Sequence, residues 1–186
     1  MEIQTPVETQ LNRQNMKSNE LTVNEYASSY QGYIQVLENV DLIEELEICL
    51  HDFIRFVQNI PMDKFDFRYA EGKWTIKDII QHLIDAERVF SYRALRISRN
   101  DKTPLAGFEE NDYVDHANAN ARHLQELLTE MAVVRQSTLS LFKSFSEEQL
   151  KKIGTASNAE VSVRAIGFII IGHQKHHQKV FQQRYL

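Results

Sequence analysis

The stretch SVRAIGFIIIGHQKHH, residues 162–177, reads as the first four turns of a long helix. Ser162 is a capping residue type, and Val163, Ile166, Ile169 and Ile170, continued by Val180 and Phe181, recur at helical spacing. A stripe of that kind faces a core. His173 and His177 fall in its middle, four residues apart, so a helix puts both imidazoles on one face, one turn apart. Polar rings on a core-facing stripe need hydrogen-bond partners or a metal.

A helix with such a face needs others to pack against, and the chain supplies three. Asp41, with Glu44 three residues on, predicts a capped start for a first long helix carrying Leu46, Cys49, Leu50, Phe53, Val57 and Ile60 and stopped by Pro61. Thr75 and Asp78 predict the start of a second, running to about Arg99, with the stripe Ile76, Ile79, Ile80, Leu83, Phe90, Ala94 and Ile97. His82 lies off that stripe with Ala86 and Val89, which predicts a helix buried on two sides. Residues 100–116, through Pro104 and Gly107, read as a long crossover, and a third helix is expected over 117–144. Residues 154–161 read as a loop or small hairpin, and the fourth helix runs from Ser162 to about Gln183. Four long helices without convincing strands predict an all-α chain, a four-helix bundle over 21–186 preceded by a polar extension, 1–20.

Composition narrows the classes of function. A net charge of -5 argues against a general nucleic-acid binder. The single cysteine, Cys49, excludes an intrachain disulfide and a cysteine-based zinc site. No stretch approaches the roughly 20 apolar residues of a membrane span, and the first residues lack the order of a signal peptide, so a cytoplasmic location is expected.

The histidine pair resembles the spacing of the zinc-protease motif H-E-x-x-H, but Gln174, followed by Lys175, stands in place of the glutamate, so that mechanism is not available. A third metal ligand must come from another helix. His82 is the best candidate, while His51, His116 and His123 read as solvated and His176 lies off the stripe. Read alone, each of these rings is equally compatible with a hydrogen-bonded core histidine. Glu87 sits on the apolar stripe of helix 2, where a carboxylate is either ion-paired, with Arg93 or Arg96 within reach, or a catalytic proton acceptor beside a metal. Asp85, three residues from His82, is a candidate to orient that ring.

Several segments together resemble the DinB/YfiT-like family of metal-dependent enzymes over residues 26–186. They are Gly72-Lys73-Trp74-Thr75-Ile76-Lys77-Asp78, Gln81-His82-Leu83-Ile84-Asp85-Ala86-Glu87-Arg88, Tyr92-Arg93-Ala94-Leu95-Arg96-Ile97, Pro104-Leu105-Ala106-Gly107-Phe108, and Gly172-His173 to His177. The resemblance implies a bundle in up-down-down-up order, which the long crossover between helices 2 and 3 accommodates. It also implies a metal held by His82, His173 and His177. Zinc or nickel suits three imidazoles. The expected activity is then a metal-dependent hydrolase or a thiol S-transferase, acting on a small-molecule substrate with water or a low-molecular-weight thiol cosubstrate, without nucleic acid or membrane. Dimers are common in that family, so a homodimer is one expectation. The competing reading is a non-catalytic binding or stress-response bundle with a structural metal or none.

Overall fold

The computed structural model describes residues 16–186. Its four long helices are α2 (Leu42–Gln58), α3 (Ile76–Ser98), α5 (Leu124–Lys143) and α7 (Val163–Arg184). Shorter helices are α1 (Gln31–Gln35), α4 (Glu110–Ala117) and α6 (Glu147–Leu150). Strands β1 (Ile153–Ala156) and β2 (Ala159–Ser162) complete the elements used below.

Each long helix starts where a side chain can take its orphan amides. Asp41 accepts from the N–H of Ile43 and of Glu44, both at 3.1 Å, and needs no help from the Glu44 side chain. Thr75 and Asp78 form the reciprocal capping box expected of them, and Asn120 joins it by donating to the Asp78 carboxylate at 2.8 Å. Ser162 caps α7 by accepting from the Ala165 N–H at 3.1 Å. The third long helix starts at Leu124 rather than at 117, because Asn118 takes a left-handed conformation (φ 51°) that ends α4 and separates it from α5. The crossover expected over 100–116 therefore contains a helix of its own. The segment over 154–161 is a hairpin: Ser157 and Asn158 both have positive φ, the geometry a two-residue turn requires, and Ala156 pairs with Ala159.

The principal packing contacts close a ring. α3 packs along α5 and α7, and α2 packs along the same two helices. The core inside is filled by side chains such as Phe53, Phe142, Phe168 and Phe181, each under 2 % exposed. Burial of each contributes roughly 1.5–3 kcal/mol. His173 and His177 lie on α7 between Ile170, at one end of the core, and Phe181, at the other. Among the described residues no helix is long and apolar enough to cross a membrane.

Residues 16–41 form a strap over the bundle. Of the extension expected over 1–20, residues 1–15 lie outside the described residues, and the rest belongs to this strap. Ser18 donates its N–H to the Val40 carbonyl at 3.0 Å, and the Leu42 N–H donates to the Met16 carbonyl at 2.9 Å. The strap is pinned at Glu25, whose carboxylate accepts from Arg164 Nε and Nη2, both at 2.7 Å, and from the Ser162 hydroxyl at 2.8 Å. Burial pushes the Glu25 carboxyl up, but Arg164, the Thr22 N–H and Ser162 outweigh it and hold the group below its ordinary 4.5. A lowered folded-state pKa adds stability that is complete above the unfolded value and is lost as pH falls through the folded one. The stability difference between wild type and Glu25→Gln, measured by urea unfolding, is therefore expected to shrink as pH is lowered from 6 to 3. A constant or growing difference contradicts this account of the pin.

Further along, the strap backbone rests on α7 at Gly172. A Cβ at that position would lie 2.0 Å from the Tyr33 carbonyl oxygen, inside the backbone itself. Gly172→Ala is expected to lift α1 off α7. In amide exchange, residues 28–40 should lose protection while the α2 and α5 amides keep theirs.

Candidate metal centre

α3 and α7 bring three imidazoles to one point. His82 Nε2 lies 2.9 Å from His173 Nε2, and His177 Nε2 lies 3.1 Å from the same atom. One ligand atom from each of the three residues falls within 4.8 Å of the others. His82 and His173 are buried, and His177 is half-buried and reaches the surface beside His176. Packing holds the rings in place: the His82 ring is 4.9 Å from that of Trp74, and the His173 ring is 5.0 Å from that of Tyr33 and 6.4 Å from that of Phe90.

This arrangement cannot satisfy itself by hydrogen bonds. A neutral imidazole nitrogen carries either one N–H or one lone pair. His173 Nε2 faces two other Nε2 atoms and can form a good bond with only one of them. Protonation is no remedy. Burial lowers the His82 pKa to about 4, and burial followed by the neighbouring histidines holds His173 and His177 well below 6.5. The buried Nδ1 of His177 also lacks a partner among the described residues. Three neutral nitrogen donors converging without mutual satisfaction are the donor set of a divalent cation. Metal–nitrogen bonds of about 2.0–2.1 Å put neighbouring ligand atoms roughly 3.0–3.4 Å apart, close to the two spacings from His173.

The remaining histidines are elsewhere. His51, His116 and His123 are all exposed, His123 at the start of α5. Lys175, in the interior of the histidine motif, pairs with Glu45 at 2.6 Å.

Glu87 is buried, and its partner is Arg135 of α5 rather than Arg93 or Arg96. Arg135 Nε donates to Glu87 Oε1 at 2.7 Å and Nη2 to Oε2 at 2.9 Å. A guanidinium has five N–H donors. The other three of Arg135 go to the Leu46 carbonyl at 2.9 Å, Cys49 Sγ at 3.1 Å and Gln174 Oε1 at 2.9 Å. One side chain thereby ties α2, α3, α5 and α7 together directly beside His173, and a water-sized cavity lined by Glu87, Arg135, His173 and Gln174 separates the two groups. Arg93 donates to the Ala106 carbonyl and the Ser157 hydroxyl, and Arg96 pairs with Asp101. Asp85 accepts from Gln81 at 3.0 Å, and no hydrogen bond joins it to the His82 ring.

Arg135 left a trace in the sequence: it falls at helical spacing between Met131 and Thr138, on the apolar stripe of α5. Tyr33, with Tyr26 and Tyr30, marks a short segment that lies on the bundle, but no periodicity in it aims the ring at the histidines of α7.

Known proteins point the same way. The sequence profile of the DinB superfamily matches residues 45–181. A protein of Oceanobacillus iheyensis that bears the name "Putative metal-dependent hydrolase" is 21% identical over 154 residues, spanning 78% of this chain and 88% of its own. A protein of Bacillus cereus (strain G9842) with the same descriptive name is 24% identical over 62 residues, 33% of this chain and 35% of its own. Among solved structures, YfiT from Bacillus subtilis superposes with a TM-score of 0.69 at 15% identity, covering 87% of this chain and 92% of its own. It is described as a "probable metal-dependent hydrolase with an unusual four-helix bundle topology", and at that identity the likeness shows a shared fold. With the profile spanning most of its length and its long helices arranged as a bundle, the chain belongs to the DinB superfamily.

Proposed function

We propose that the protein is a metal-dependent hydrolase, with transfer of a low-molecular-weight thiol as the neighbouring activity, and that His82, His173 and His177 hold one divalent metal, zinc or nickel. The observation that carries this reading is the convergence of three Nε2 atoms that no arrangement of protons can satisfy. A divalent ion in such a set supplies Lewis acidity to a water or a thiol, and three protein ligands leave a coordination position open.

The chain's own residues prepare the site. Burial keeps the three imidazoles neutral, the form that binds metal. Trp74 and Tyr33 fix the ring planes by contact. The Glu87 carboxylate, held on both oxygens by Arg135, stands across the small cavity from His173. Its role in the proposal is to accept a hydrogen bond through a water in that cavity and so to orient His173, which joins the ion-paired reading of Glu87 to an indirect part in the site in place of a direct proton acceptor. The same reading includes a cytoplasmic protein with Cys49 reduced, a small-molecule substrate, and helices in up-down-down-up order, which the long connection from α3 to α5 supports.

Elemental analysis of protein purified without a histidine tag tests the proposal. About one zinc or nickel per chain is expected. A metal-free protein that takes up neither ion on titration would sink it.

A further inference from the structure

Tyr33 belongs to the strap, outside the 45–181 segment that matches the superfamily. Yet it lies against the histidine cluster. Its ring centroid is 5.0 Å from that of His173 and 5.3 Å from that of His176. A five-residue helix such as α1 does not hold itself in water, so its position comes from its contacts. Two of them are strong. Gly172 lets the Tyr33 backbone lie flat on α7, one residue before His173. The Glu25–Arg164 pair anchors the strap upstream. A third contact continues the wall: the Tyr30 ring meets Phe90 at 6.1 Å, and Phe90 meets His173.

The Tyr33 hydroxyl is the unusual part. It makes no hydrogen bond with any described residue, and it is not sealed from solvent. Tyr185, by contrast, donates to the Trp74 carbonyl at 2.5 Å. The ring that carries this phenol touches both His173 and His176, and His176 is part-exposed. Small polar molecules approaching His173 and His177 from the side of His176 meet this ring. Phenol O–H groups are good donors to carbonyl and acid oxygens, whereas sulfur is a weak acceptor.

We propose that Tyr33 is a ligand-contacting residue of the centre: its ring walls the entrance beside His173, and its hydroxyl donates a hydrogen bond to a substrate whose reacting group carries an oxygen acceptor, a carbonyl or acid oxygen. This rests on the metal-centre reading and sharpens it toward the hydrolase, since the free donor suits an oxygen-bearing substrate better than a thiol.

The test uses full-length protein loaded with Co(II), whose visible bands report ligand binding without any turnover. Acetohydroxamate serves as the oxygen probe and 2-mercaptoethanol as the thiol probe. Tyr33→Phe keeps the ring and removes only the hydroxyl. Its Co(II) content should match wild type. Its affinity for acetohydroxamate should fall roughly 10-fold, the worth of one hydrogen bond, with 2-mercaptoethanol binding changed less than about 2-fold. Tyr33→Ala should weaken the oxygen probe at least as much. Unchanged acetohydroxamate binding in Tyr33→Phe overturns the proposal. An equal loss for both probes also overturns it, because the hydroxyl would then act on the site in general and not on an oxygen. Failure of wild type to bind Co(II) is a separate result: it removes the metal centre itself, and this inference with it.

Discussion

Alanine at His173 is expected to abolish stoichiometric metal binding. His173 Nε2 is the atom that both His82 and His177 approach, so its loss leaves two nitrogens without a common centre. Loss of a residue that merely orients a ligand lowers metal affinity by 10- to 100-fold, and loss of the ligand itself should exceed about 100-fold. His177→Ala should behave alike. Thermal unfolding supplies an independent readout. A ligand present at 1,000 times its Kd stabilises the folded state by about 4 kcal/mol, which for a chain of this size raises Tm by roughly 10 °C. A chelator should remove that increment from wild type and leave the Tm of His173→Ala unmoved. Full metal content in both alanine variants would refute the assignment of ligands.

The second large effect concerns the buried ion pair. Arg135→Met strands the Glu87 carboxylate in the core and strips donors from the Leu46 carbonyl, Cys49 and Gln174. Breaking one half of such a pair costs about 3–5 kcal/mol, a large share of the 5–15 kcal/mol by which domains are ordinarily stable. The double variant Glu87→Leu, Arg135→Met removes both charges. It is expected to recover most of the loss and to finish within about 2 kcal/mol of wild type, because an apolar replacement of the whole pair is close to neutral. Urea unfolding of the two single variants and the double variant measures this directly. A double variant as unstable as Arg135→Met would show that the contacts to α2 and α7, and not the stranded charge, carry the effect.

Local signals in the chain predicted the parts of this structure that local physics controls. The capped starts at Asp41, Thr75 and Ser162 and the stripe around His173 and His177 follow from spacing within a few turns. A start at 117 is too early for the third helix, and nothing in the periodicity announces the left-handed Asn118 that sets α4 apart from α5. His82 was a weaker reading than the pair: it lies off the main stripe of α3, and only a helix buried on two sides turns it toward α7. The partner of Glu87 was sought on its own helix, whereas Arg135 comes from 48 residues away. The place of Tyr33 against the histidines is unreadable for the same reason, since a glycine on α7 and a buried carboxylate in the strap jointly decide where it lies. Contacts between distant segments are decided by packing, and no pattern along one segment records them.

The ring of helices has a consequence in time. Of the three pairs of successive long helices, α2 with α3 and α5 with α7 occupy its diagonals, and only α3 with α5, joined through the α4 connection, pack on each other, so neither α2 nor α7 finds its partners next to it in the chain. Folding must wait for non-local partners, a topology that slows a helical protein. His82 precedes His173 by 91 residues, and α7 leaves the ribosome after the other three long helices. During synthesis the nascent chain therefore carries a solitary imidazole on α3, and the complete donor set exists only once α7 has docked.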